Sequence, residues 1–286
     1  MSGSSAGSIG ALAETYIKHI KPLRSAPEIE RRLRKDVLPV IGHIPLRELH
    51  RRDVTRVIDA KSEAPIAARR AFEDIRGMVR WAVARGDLDH NPIDGMKGPP
   101  LSKPRSRTLS DAEIKVLWDG LSTVGNGHSK ALKLCLVTGQ RLGEICGITT
   151  NEIAGDVWNI PGSRTKNGHA HSVPLTQMAI DLINGPFPSV NQVSSFVGDH
   201  QFGLPHLTAH DLRRTMLTKL AELGVAPIVI GHIANHRTTT RAGITLGVYI
   251  QYAYEKEKRE ALELWADRLQ GIISGAAKVV AIRGKA

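Results

Sequence analysis

The sequence predicts a mainly α-helical protein with a small antiparallel sheet, an α+β arrangement in two domains. Three observations lead there. Apolar residues recur at three- and four-residue spacings along most of the 286 residues, the mark of amphipathic helices. Two short runs, 156–161 and 171–175, read as strands instead. They flank Gly162-Ser-Arg-Thr-Lys-Asn-Gly168, whose Asn-Gly marks a hairpin turn. Finally, 94–107 is rich in Pro, Gly and basic residues without periodicity, as an interdomain strap would be.

Residues 1–8 are small and polar and are expected to form a disordered leader. A helical domain is expected over 9–98. Its first helix carries Leu12, Tyr16, Ile17 and Ile20. Ser25 and Glu28 have capping-box spacing for a second, bearing Ile29, Leu33 and Val37 and ended by Pro39 and Gly42. Asp53 begins a short helix with Val54, Val57 and Ile58. The longest element spans 65–85, with Ala68, Phe72, Ile75, Val79 and Ala82 inward and Gly86 as its stop. Its other faces carry Arg69, Arg70, Arg76, Arg80 and Arg85, which outnumber Glu73 and Asp74. Arginines without interspersed lysines suit phosphate contact. Lys103, Arg105 and Arg107 make the linker, 99–108, basic as well.

The second domain is expected over 109–270. It opens with a capping box, Ser110 and Glu113, on a helix bearing Ile114, Leu117, Trp118 and Leu121. A buried helix follows around 131–138, closed by Gly139. In Arg141-Leu-Gly-Glu144-Ile-Cys-Gly, Leu142, Ile145 and Cys146 are expected inward, with Arg141 and Glu144 on the opposite side. Residues 185–207 show no readable pattern. Leu212, Met216, Leu220 and Leu223 then mark a helix with Thr208 at its N-cap and Gly224 just past its end. His210 and Arg213 share a face near its N-terminus, where the dipole and two donors suit a phosphate. A last helix covers about 255–269. The apolar residues of the tail over 271–286, Ile272, Ile273, Val279, Val280 and Ile282, call for a docking site.

Composition narrows the partners. Lys and Arg number 39 against 28 Asp and Glu, for a net charge of +11. The excess is spread over both domains, which favours a polyanion such as nucleic acid. Cys135 and Cys146 are too few and wrongly spaced for a metal ribbon or a disulfide framework. His206 with His210, and His232 with His236, have metal-ligand spacing but lack a third ligand at fixed offset. No metal and no cofactor are expected. Neither a signal peptide nor an apolar run of membrane-spanning length is seen, so a cytoplasmic, nucleoid-associated protein is expected.

Five boxes occur in order: Thr138-Gly-Gln-Arg141-Leu-Gly-Glu144, Arg164-Thr-Lys166-Asn-Gly168, His210-Asp-Leu-Arg213-Arg-Thr, Asn235-His236 and Gly247-Val-Tyr249. Together they resemble the tyrosine recombinases, specifically phage-type integrases of the satellite-phage and genomic-island branch. The resemblance covers about 9–270 and implies a helical core-type DNA-binding domain followed by a catalytic domain. It implies that Arg141 and Arg213 hold the nonbridging oxygens of the scissile phosphate, with His210 and His236 beside them. Lys166 would protonate the leaving 5′-oxygen, Glu144 would orient Arg141 or His210, and Tyr249 would attack to form a 3′-phosphotyrosyl bond. Tyr252 and Tyr254 are its competitors as nucleophile. The implied substrate is a double-stranded attachment site, acted on by a tetramer in which C-terminal segments pack onto neighbouring protomers. An excisionase or a host DNA-bending protein is the further partner that the resemblance admits. Two departures stand out. The 187–210 segment is shorter than the family pattern, so an abbreviated helix is expected there, and the match begins at the core-binding domain without the branch's arm-binding domain. A type IB topoisomerase, or a decayed integrase that only binds DNA, would use similar residues.

Overall fold

A computed structural model describes residues 7–100, 106–236 and 252–276. The chain divides into two units, 1–105 and 106–286. The first is helical: α1 (Ile9–Ile20), α2 (Ala26–Arg32), α3 (Leu38–Ile41), α4 (Arg51–Asp59) and α5 (Pro65–Arg85). Leu12, Leu33, Val37, Ile41, Val54, Val57 and the inward stripe of α5 close its core.

Three local expectations are corrected here. Ser8 belongs to no disordered leader, because its hydroxyl caps α1 by accepting from the Ala11 amide at 3.2 Å. The Ser25 side chain makes no capping bond, and its backbone is already helical; Glu28 turns to Arg31 and Arg32 instead. Pro39 does not end the helical path. A wide turn over Leu33–Val37 lets the Leu38 amide reach back to the Leu33 carbonyl, and the chain coils on to Gly42. Proline is tolerated at this entry because its missing donor falls in the first turn of α3.

The second unit holds α6 (Asp111–Val124), α7 (Gly127–Thr138) and α8 (Leu142–Cys146), then a sheet of β1 (Ile153–Ala154), β2 (Val157–Ile160) and β3 (His171–Pro174). Among the described residues five helices follow: α9 (Gln177–Leu182), α10 (Val190–Asp199), α11 (Ala209–Glu222), α12 (Pro227–Ile233) and α13 (Glu255–Ser274). The sheet is antiparallel in the order β1-β2-β3, with Trp158 opposite Val173 and Ile160 opposite His171. Trp158 and Trp265 are among the largest fully buried side chains, and the Trp265 indole donates to the Leu136 carbonyl at 2.8 Å.

The segment expected to hold an abbreviated helix contains α10, ten residues long and opened by a capping box between Ser189 and Gln192. Val193 and Val197 seat it in the core. The tail is also corrected. Helix α13 continues past 270 to Ser274, Ile272 is buried against its own unit, and Lys115 donates to the Ile273 carbonyl at 2.9 Å. Val279, Val280 and Ile282 lie outside the described residues.

Candidate active site

Helix α11 begins where Asp211 accepts from both the amide and the hydroxyl of Thr208, at 3.0 and 2.7 Å. That turn presents His210 outward and Arg213 inward. Arg213 is 2% exposed, yet no carboxylate pairs with it among the described residues. Its guanidinium donates to the Gly139 carbonyl at 2.6 Å and to the Ala234 carbonyl at 2.5 Å. Gly139 ends α7 with φ +65°, a left-handed turn that favours glycine. A Cβ there would also lie 2.7 Å from the Met216 sulfur. Burial, and after it the neighbouring charge of Arg141, lower the Arg213 pKa to about 10.

Arg141 stands just before α8. Its amide donates to Glu144 at 3.0 Å and its guanidinium at 2.9 Å. Glu144 is therefore not on an outer face, as its spacing suggested, but 2% exposed and turned inward beneath Arg141. Arg164 of the second box is committed elsewhere, to the Glu152 carboxylate and to the Glu144 carbonyl. Lys166 stays exposed on the β2–β3 connection. That connection is fastened by Asn167, whose amide donates to the backbone carbonyl and the side chain of Asn235, each at 3.0 Å.

His236 follows α12. Asn235 adopts φ +46°, its amide donates to His232 and the His236 amide reaches back to Gly231. These two bonds form a Schellman ending, where Asn is the usual substitute for glycine. The Nε2 atom of His236 lies 3.4 Å from an Arg213 nitrogen that can only donate, so in this contact Nε2 accepts. Burial, then Arg213, Arg141, His210 and Lys166, hold the His236 pKa below the ordinary imidazole value. Burial and the charges of Arg214 and Arg213 do the same for His210. Two arginines, two imidazoles and the charge of Lys166 thus converge, opposed among the described residues by Glu144, which Arg141 occupies, and by Asp211 next to His210. Such a place binds an oxyanion and stabilises charge that develops on it.

Tyr249 lies outside the described residues. Of its competitors, Tyr252 donates its hydroxyl to Glu257 at 3.1 Å, which raises its pKa. Tyr254 packs against His232 with ring centroids 4.6 Å apart.

In the first unit, Arg69 and Arg76 both pair with Glu73, and Arg85 pairs with Asp87 while stacking on Trp81. Arg70 and Arg80 are exposed, with no ion pair among the described residues. Arg107 pairs with Glu113 at 2.8 Å, and Lys103 and Arg105 fall outside the described residues. Sequence reasoning overlooked Gln140, Asn167 and His171, although the first two stand inside quoted boxes. Among the described residues no group of three His, Cys, Asp or Glu is placed to hold a metal, and no helix is long and apolar enough to cross a membrane.

Comparison with known proteins matches residues 10–99 to the phage integrase central domain and 107–187 to the phage integrase family. Prophage integrase IntZ of Escherichia coli (strain K12) is 25% identical over 294 residues, spanning 93% of this chain and 69% of that protein. A lambda integrase (residues 75–356) dimer bound to a COC′ core site superposes with a TM-score of 0.70 at 17% identity, over 82% of this chain and 96% of that one. A lambda integrase tetramer bound to a Holliday junction gives 0.71 at 17% identity, over 84% and 80%. At such identities the structural likeness establishes the fold.

Proposed function

Because the chain belongs to the phage integrase family of tyrosine recombinases, we propose that it is a site-specific DNA recombinase that cuts and rejoins attachment sites. The observation that carries this reading is Arg213, a buried guanidinium held by carbonyls and without a counter-anion among the described residues. A scissile phosphate supplies that anion. Arg213 and Arg141 take its nonbridging oxygens, and His210 and His236 donate to the same group as negative charge grows on it. The Tyr249 phenol gives up its proton to water as its oxygen attacks phosphorus, the bond to the 5′-oxygen breaks, and Lys166 gives that oxygen its proton. The product is a 3′-phosphotyrosyl bond and a free 5′-hydroxyl. Attack by the 5′-hydroxyl of a partner strand reverses the step and releases the tyrosine. Phosphoester energy is kept throughout, so neither ATP nor a metal is called for.

On this reading Arg69, Arg70, Arg76, Arg80, Lys103, Arg105 and Arg107 follow the phosphate backbone. Those held by Glu73 or Glu113 exchange that carboxylate for DNA, whereas Arg70 and Arg80 are ready as they stand. Four copies assemble on two duplexes in the manner of the lambda integrase tetramer, and an excisionase or a host DNA-bending protein sets direction at the nucleoid.

The test is a suicide duplex that traps the covalent adduct on a denaturing gel. Tyr249→Phe should abolish the adduct and leave DNA affinity nearly unchanged, because many phosphate contacts carry binding. An adduct that survives the substitution would move the nucleophile to Tyr252 or Tyr254. Relaxation of supercoils without exchange between sites would indicate a topoisomerase instead.

A further inference from the structure

Three of the segments that carry proposed site residues, those of Arg141, Lys166 and His236, meet on one backbone carbonyl, that of Ile233. Gln140, fully buried and next to Arg141, donates its side-chain amide to Ile233 O at 3.0 Å and to Thr138 O at 3.0 Å. His171 opens β3, just after the connection that carries Lys166, and its Nε2 lies 3.1 Å from the same Ile233 oxygen. Ile233 itself stands three residues before His236.

A carbonyl can only accept, so His171 must supply an N–H, which places the ring proton on Nε2. Burial pushes the His171 pKa down to about 3, and the charges of Lys258, Arg213 and Arg141 oppose protonation as well. The next two carbonyls of the same turn are also taken from outside it. Ala234 O receives Arg213, and Asn235 O receives Asn167. The C-terminal carbonyls of a helix have no partner of their own. Here each is held by a side chain from a different segment of the site. Neutral donors suit Ile233 because a third buried cation beside Arg213 and Lys258 would be costly.

We infer that Gln140 and His171 are positioning residues, two neutral donors that pin the Ile233 carbonyl and so hold His236 against Arg213. Their effect on cleavage rests on the function proposed above; their effect on His236 does not. Neither side chain needs to touch DNA. Together they set the register of the α7–α8 turn, the sheet and the end of α12 relative to one another, so displacement of one disturbs ligands on all three.

The experiment is an NMR titration of the His236 ring in the full chain without DNA. In the unsubstituted protein the midpoint lies below the ordinary imidazole value. Gln140→Met keeps the volume and removes the donor, and His171→Leu does the same at the other side of the carbonyl. Each should shift the His236 midpoint upward as the ring leaves the field of Arg213 and Arg141. His171→Gln sets an amide donor near the Nε2 position and should restore the original midpoint. In parallel, single-turnover cleavage should fall roughly 10²-fold in the first two variants, the scale of a small misplacement of reacting groups, and recover in His171→Gln with DNA affinity unchanged.

An unmoved His236 midpoint in Gln140→Met overturns the inference, and that variant decides alone if His171→Leu fails to fold. A shift in His171→Gln as large as that in His171→Leu would remove His171 from the pair. A protein that cleaves no DNA in any form would sink the proposed function, while the titration would still judge the positioning.

Discussion

Among the described residues each unit buries one arginine, and the two are satisfied in opposite ways. Arg32 in the helical unit meets Asp74 through two bonds of 2.6 and 3.0 Å, an ion pair fully enclosed by its own domain. Asp74 and Glu28 both favour the charged guanidinium against the cost of burial, and the Arg32 pKa is raised. Arg213 in the second unit is more deeply buried, meets two carbonyls and the His236 ring but no carboxylate among the described residues, and has its pKa lowered to about 10. A chain can bury a guanidinium for architecture by providing the anion. When it buries one and withholds the anion, the charge is available to a ligand. The carbonyls fix Arg213 in direction without neutralising it.

That contrast can be broken from the architectural side first. Arg32→Ala strands Asp74 without its partner, and calorimetry of the full chain should show a loss of about 3–5 kcal/mol. The double substitution Arg32→Met with Asp74→Leu should recover most of it, since apolar packing commonly replaces a buried ion pair at little cost. If the single variant is as stable as the parent, the pair is not structural and the comparison fails.

A second effect lies in acid. His171 has a folded pKa near 3 against an ordinary value of 6.5, so below pH 6.5 the unfolded chain binds the extra proton. The contribution of the neutral ring is complete above pH 6.5 and is lost progressively as the pH falls toward 3, by up to about 1.4 kcal/mol per unit. Denaturant unfolding at stepped pH should show this slope in the parent and a shallower one in His171→Gln. Equal slopes would mean that the ring is solvated and does not hold Ile233.

The same division explains what the sequence made legible. Helix α5 could be read end to end because its interior stripe repeats five times and Pro65 and Gly86 bound it. Strands β2 and β3 were legible from their flanking turn, whereas β1 is two residues long and has no periodicity to show. Helix α10 carried a capping box and Val193 and Val197 four apart, but it stands between Gly- and Pro-rich stretches that masked it. In the site, the residue types of the boxes announced themselves. The inward turn of Glu144 did not, because a three-residue spacing cannot say which face a five-residue helix buries. Gln140 and His171 were invisible for a related reason. Their partner is a backbone carbonyl some 60 to 90 residues away, and every residue type has one.

The most direct test of the claim about Arg213 changes the charge of the ligand rather than the protein. Cleavage by Arg213→Ala is compared with the parent on two duplexes, one with a normal scissile phosphate and one with a neutral methylphosphonate there. On the phosphodiester the substitution should cost roughly 10²–10³-fold, the usual loss when a preorganised donor is removed from a developing oxyanion. On the methylphosphonate little charge remains to compensate, and the two proteins should cleave at similar rates. Equal impairment on both substrates would contradict the account and make Arg213 a structural arginine like Arg32.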